Sequence, residues 1–213
     1  MNFTRWAGPV AGAGFAGLTV ALGLTFPGYD EASQYLSELG ARGAPRAVWM
    51  NYAGIVPFGL LMALHAAGWL RRTHRWTGIA GAAMLLLAGA GFALAGVQPC
   101  DAGCSFRDMS RSAVIHNLAA FAAFVTAQLA VTASLADTLR RGGRLRLLLD
   151  ASCAVVMAAG FGAMLLAGPE AELVGALQRV FVYGLCAWLV VSGMDRAAWA
   201  EPDGARDVIR SGG

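Results

Sequence analysis

A chain of 213 residues that is 57% hydrophobic and only 14% charged, with mean hydropathy +0.57, is not a soluble domain of ordinary composition. Too few charges remain to cover a water-exposed surface. The formal charge of +3 is also too small to point to nucleic acid. All 16 basic residues are arginine, and with 28 glycines this reads as the codon bias of a GC-rich genome.

In chain order, apolar runs extend over Ala7 to Phe26, Ala47 to Leu70, Trp76 to Val97, Ala113 to Ala136, Leu147 to Ala167 and Leu173 to Met194. Each is about 20 residues or slightly more, enough at ~1.5 Å per residue to cross a hydrocarbon core of ~30 Å. The first run is too long for a signal-peptide h-region, and Phe26-Pro27-Gly28 offers no small-residue cleavage site, so it reads as a retained helix. The expectation is an all-α polytopic membrane protein: a six-helix transmembrane domain over residues 1–194, followed by a polar cytoplasmic tail over 195–213. Gly8, Gly12 and Gly17 in the first span, with Gly78 and Gly81 in the third, mark expected close helix contacts.

Charge sets the orientation. With both termini inside, eleven of the sixteen arginines are cytoplasmic, among them Arg5, Arg71, Arg75, Arg140, Arg144 and Arg196. Only Arg42, Arg46, Arg107 and Arg111 then lie in outer loops, with Arg179 inside a span. This bias predicts that both termini are cytoplasmic. The inner connections are short. The first and second outer loops are longer, about 20 and about 15 residues, and can hold structure of their own.

The first outer loop reads GYDEASQYLSELGARGAP from Gly28 to Pro45. Asp30 is a good N-cap and Gly40 a good C-terminal stop. At helical spacing Tyr35, Leu36 and Leu39 share one face while Glu31, Gln34 and Glu38 share another. This predicts a short amphipathic helix lying on the membrane or over the bundle mouth. In the second outer loop, Cys100 and Cys104 flank Asp-Ala-Gly and are placed to form a disulfide; a thiol relay to a membrane quinone would need a second accessible pair. Cys153 and Cys186 lie within spans, where packing is the expected role. Four cysteines and three histidines give no zinc-type spacing, and no metal or cofactor is implied.

His65 and His116 sit near opposite ends of their spans, roughly 20 Å apart in depth at helical rise, too far to ligate one haem. His74 belongs to the arginine cluster around Arg72 and Arg75. Asp150, near the inner end of span five, is placed to pair with Arg144 or Arg146. Near the outer face, Asn51, His116, Asn117, Gln178 and Arg179 enter the spans. Arg179, about 9 Å below its helix start, should face the bundle and find a carboxylate among Asp30, Glu31, Glu38, Asp101, Glu170 and Glu172, with Glu38 the first choice.

The segment Ser33 to Ala41 with Pro45, the Cys-Asp-Ala-Gly-Cys loop, His116-Asn117 and Gln178-Arg179 together resemble a bacterial six-helix membrane family catalogued as domain of unknown function 998. The likeness covers nearly the whole chain. The first loop also resembles, in part, that of the Frag1/DRAM/Sfk1 family, which is associated with membrane lipid organisation. The resemblance implies a fold and supplies no reaction.

The sequence therefore points to a protein that binds a membrane lipid headgroup or small amphiphile in an outward-facing polar pocket. The pocket would be formed by Arg179, His116, Asn51, Asn117, Gln178, Glu31 and Glu38. The competing reading is a membrane-embedded hydrolase or transferase with His116 as general base, Ser37 as nucleophile and Glu38 or Glu31 as orienting carboxylate. A homo-oligomer or another membrane partner is compatible with either.

Overall fold

The computed structural model describes residues 3–195, and the expected tail beyond Asp195 lies outside them. Six long helices account for most of the described chain: α1 (Phe3–Leu24), α2 (Val56–Leu70), α3 (Trp76–Val97), α4 (Arg111–Arg141), α5 (Arg144–Ala167) and α6 (Val174–Met194). With the π-helical segment Trp49–Ile55 that leads into α2, all six are long and apolar enough to cross a membrane. They follow the expected spans closely. Only α4 is clearly longer, at 31 residues, because its last turns continue past the apolar run to Arg140 and Arg141.

Short connections force chain neighbours to pack antiparallel, and α6 returns to α1, so the helices form a closed ring. At one end lie the two long loops and the α5–α6 turn, here called the loop end. At the other, the arginine end, lie Arg5, Arg71, Arg72, Arg75 and the α4–α5 turn.

Lipid offers no hydrophobic incentive for helices to associate, so close packing must hold the ring together. Two features supply it. Each helix contributes one phenylalanine to a central layer: Phe15, Phe58, Phe92, Phe124, Phe161 and Phe181. Phe15 stacks on Phe58 at 4.4 Å between centroids, and Phe124 on Phe181 at 4.3 Å. Such pairs add roughly 0.5–1.5 kcal/mol each beyond their buried area. The second feature is backbone contact at glycine. A Cβ on Gly59 would lie 2.4 Å from the Gly89 carbonyl oxygen, and one on Gly89 would lie 2.5 Å from that of Gly59. Gly12 presses on the Cys186 carbonyl in the same way, whereas Gly17 has nothing within 4 Å and is not a contact.

The π-helical segment has a local cause. Pro57 cannot donate to the carbonyl of residue 53, and its ring crowds that oxygen, so the turns before it widen.

The first long loop departs from the expected amphipathic helix. Residues 31–34 form turns, and only Leu36–Gly40 is helical, as a 3-10 helix. Its amides are drawn away from α-helical pairing: Tyr35 N–H donates to the Glu38 carboxylate at 2.9 Å and Leu36 N–H to Gln178 Oε1 at 2.6 Å. Leu36, Glu38 and Leu39 are buried, so the segment plugs the bundle instead of lying on a membrane surface.

Overpacking a glycine contact of this kind costs typically ~1–3 kcal/mol. Gly89→Ala should therefore lower the thermal unfolding temperature in detergent by several degrees, while Gly17→Ala leaves it unchanged. Equal effects would contradict the α2–α3 contact.

Candidate functional site

At the loop end, α6 begins at Val174, which puts Gln178 and Arg179 just over one turn inside the bundle. Gly175 has no side chain, and this lets the first loop lie directly on the helix: a Cβ there would be 2.1 Å from the Gln34 carbonyl oxygen. Ala176 N–H donates to the Ala32 carbonyl at 2.9 Å. Arg179, 7% exposed, donates from Nη1 to the carbonyls of Glu31 at 2.8 Å, Gln34 at 2.9 Å and Gly175 at 3.0 Å. Its Nη2 donates to the Tyr29 hydroxyl, and the guanidinium lies 5.3 Å from the Tyr29 ring centroid.

The expected carboxylate partner is present, but it is Glu31, 3.9 Å from Nε. Glu38 is occupied by Tyr35 N–H and by Gln34 Nε2 at 2.9 Å. A guanidinium fits backbone carbonyls better here because its planar fork reaches several at once.

Tyr29 completes the clamp by donating to the Tyr35 carbonyl at 2.9 Å. Burial pushes its phenol up to about 12, against the lowering pull of the Arg179 charge, and burial with the Glu38 charge does the same for Tyr35. Asp30 caps a turn instead of a helix, accepting from Ala32 N–H at 3.0 Å and the Ser33 hydroxyl at 2.6 Å. Those hydrogen bonds, the Ser33 hydroxyl's first, hold its carboxyl below the ordinary range. Asn51 is buried and donates to the Gly40 carbonyl at 2.8 Å.

The second long loop is tied to the first. Cys100 and Cys104 form the expected disulfide, with Cα atoms 5.1 Å apart, and Arg42 N–H donates to the Cys100 carbonyl at 3.0 Å. Asp101 accepts from Ser110 N–H and the Ser110 hydroxyl, both at 2.7 Å. Ser110 in turn caps α4. These bonds hold the Asp101 carboxyl below its usual range.

Beneath this double lid is a cavity of about 280 Å³. Its walls include Phe15, Phe92, Phe121, Phe124 and Phe161, so the phenylalanine layer is its floor. Polar lining is confined to the loop end: Ser37, His116, Asn117, Gln178 and the Tyr35 side chain. His116 Nδ1 meets the carbonyls of Ala95 at 2.8 Å and Gln98 at 2.9 Å. Carbonyls only accept, so the proton is on Nδ1 and Nε2 is left as a bare acceptor. Asn117 gives Nδ2 to the Met109 sulfur at 3.1 Å, and Gln178 uses Oε1 on the Leu36 amide. His116 Nε2, Asn117 Oδ1 and Gln178 Nε2 meet no partner among the described residues. Phe121 and Leu165 line the cavity and are also half exposed, which puts its open side between α4 and α5.

The predicted site residues thus separate into two sets. His116, Asn117, Gln178 and Ser37 share the cavity. Arg179, Glu31, Glu38 and Asn51 are absent from its lining and hold the lid; Arg179 and Glu31 line a separate open groove between α5 and α6. Ser37 Oγ lies 3.5 Å from the Cys104 sulfur, and no hydrogen bond links His116 to Ser37 or to a carboxylate. His65 is far off at the arginine end, between Ser192 Oγ at 3.0 Å and the Thr4 carbonyl at 3.3 Å. The phenylalanine floor had no sequence signal, since every span carries at least one such residue and the first and fourth carry two.

Residues 9–195 match the model of a family described as Protein of unknown function (DUF998). The chain belongs to this family. No curated protein and no solved structure matched it. The family description names no activity, so the multi-pass membrane architecture rests on the six apolar helices and the activity is left to be argued from the cavity.

Because the Tyr29 phenol is held up at about 12, the clamp it completes is retained below its unfolded value near 10 and lost only as pH rises through about 12. Absorbance titration should find late-ionising phenols, and Tyr29→Phe should remove one. The substitution also takes the acceptor from Arg179 Nη2 and one of two donors from the Tyr35 carbonyl, which keeps Glu38 N–H, a loss of roughly 1–3 kcal/mol in unfolding stability.

Proposed function

We propose that this DUF998 chain binds a membrane lipid or other small single-chain amphiphile. Its apolar tail would lie in the phenylalanine-floored cavity and its polar end against His116, Asn117, Gln178 and Ser37. The supporting observation is the division of that cavity: aromatic walls below, and above them hydrogen-bonding atoms left without protein partners. Polar atoms that face an apolar cavity without a protein partner are open to a ligand that supplies one, which gains orientation as well as affinity.

The volume of about 280 Å³ lies at the low end for small-ligand pockets, roughly 300–1,000 Å³, and suits one chain better than a two-tailed lipid held whole. The polar end is an uncharged group such as a hydroxyl, amide or ester. Arg179, the cation that would have favoured an anionic headgroup, spends its donors on the loop. The absence of a hydrogen bond from His116 to a nucleophile or a carboxylate favours binding over hydrolysis.

The arginine bias supports a cytoplasmic location for both termini and an inner-membrane setting, with the cavity on the outer side. Reporter fusions placed between Arg71 and Arg75 should then report cytoplasm, and fusions between Gly28 and Arg46 the outer side. The reverse pattern would overturn this orientation.

Occupancy is tested with a diazirine-bearing fatty alcohol. Ala120 lines the cavity, and Ala120→Trp should fill it and cut photolabelling at least about tenfold; His116→Ala should weaken labelling less, by the few-fold loss of one hydrogen bond. Undiminished labelling of a folded Ala120→Trp protein would refute the site.

A further inference from the structure

A second cavity, of about 340 Å³, lies at the arginine end between α2, α4, α5 and α6, on the far side of the phenylalanine layer. Its lining carries far more charge than that of the first, including Arg72, Asp137, Arg141 and Arg146.

The two aspartates of this end are treated differently. Asp150 is fully buried and fully satisfied. It accepts from Thr138 Oγ1 at 2.8 Å, Trp188 Nε1 at 3.0 Å, Arg146 Nε at 3.0 Å and Ser134 Oγ at 3.4 Å, and pairs with Arg146 Nη2 at 2.8 Å. This confirms the expected Arg146 partner and makes Asp150 a structural anchor. Asp137 lines the cavity and is 5% exposed, yet only one of its oxygens is used: Oδ2 pairs with Arg141 Nη2 at 2.6 Å, while Oδ1 is buried with no partner. Arg141, one helical turn on, also lines the cavity. Nη2 holds Asp137, and Nη1 and Nε meet no partner among the described residues.

A buried carboxylate oxygen demands a donor, and the exposed guanidinium edge beside it offers donors to an acceptor that enters the cavity. Both come from one ion pair at i,i+4 spacing, so they lie side by side. Among the described residues, the charged groups around the cavity, counting Asp150 behind Arg146 and Asp195 at 3.8 Å from it, are three arginines and three aspartates. A lone cation or anion would unbalance them; a molecule carrying both charges would not.

We propose that this cavity is a binding site for a zwitterion of the phosphoethanolamine class. Its ammonium donates to Asp137 Oδ1 and its phosphate accepts from Arg141. The same chemistry is presented by a phosphatidylethanolamine headgroup and by water-soluble phosphoethanolamine. The Arg141 side chain is 41% exposed, which leaves the anion end open to either source.

The test uses the full chain purified in a detergent that carries no such headgroup. Titration calorimetry with O-phosphoethanolamine should give saturable binding, at least about tenfold tighter than with ethanolamine or inorganic phosphate alone. Asp137→Asn keeps the side-chain volume but removes the charge, and Arg141→Gln removes the anion contact. Each should weaken binding at least about tenfold while thermal unfolding stays cooperative. Native mass spectrometry from nanodiscs separates the sources: a retained phosphatidylethanolamine, displaced by the soluble compound, assigns the lipid, and soluble binding without retention assigns the free zwitterion. No saturable binding by the wild-type chain, or equal affinity for phosphoethanolamine and inorganic phosphate, overturns the proposal.

Discussion

A guanidinium inside the apolar part of a membrane protein must be satisfied by the protein, since lipid supplies no acceptors and the charge costs at least ~2.5 kcal/mol. Arg179 meets this demand with backbone. By gathering the carbonyls of Glu31 and Gln34 along with that of Gly175, it fixes the first long loop to the start of α6. Everything at the loop end depends on that attachment. Gln178 can hold the Leu36 amide only because the loop lies on the helix, and Asn51 can hold Gly40 only because the 3-10 turn is seated over α2. The disulfide loop is joined to it through Arg42.

The lid and the phenylalanine layer together create the cavity. Six aromatic rings fill the middle of the ring of helices and separate two chambers of different chemistry. The loop-end chamber is apolar with an uncharged polar rim. The arginine-end chamber is charged and balanced. An amphiphile with an uncharged head suits the first, and a zwitterion the second. A single set of spans thus encloses two chambers of different lining at its two ends.

The spans were legible because length and hydropathy suffice where lipid is the solvent. The disulfide joins two cysteines four residues apart in the second long loop, and the Asp150 partner follows from i,i+4 spacing. The first loop was misread because its period looks helical, while tertiary partners (Gln178 for Leu36, Glu38 for Tyr35) took the amides an α-helix would have used. Arg179 was correctly expected to face inward, but sequence favours carboxylates as partners because backbone carbonyls leave no mark in it. The division of His116 from Arg179 was illegible for a related reason: both lie near the same membrane depth, and only helix rotation decides which chamber each faces. Asp137 lies just past the apolar run that ends at Ala136, and α4 carries on through it to Arg141.

The central claim is that Arg179 holds the lid and does not hold the ligand. Hydrogen exchange at the first-loop amides tests it directly. In the intact protein the amides of Gln34, Tyr35, Leu36 and Glu38 should be protected, since they donate to the Asp30 carbonyl, the Glu38 carboxylate, Gln178 Oε1 and the Tyr35 carbonyl. In Arg179→Gln those amides should exchange at least about tenfold faster, while the amides of α3 and α4 stay as slow as before. Unchanged protection of the loop in Arg179→Gln would contradict the account, because the loop would then be held by something else and the arginine would be free to serve a ligand.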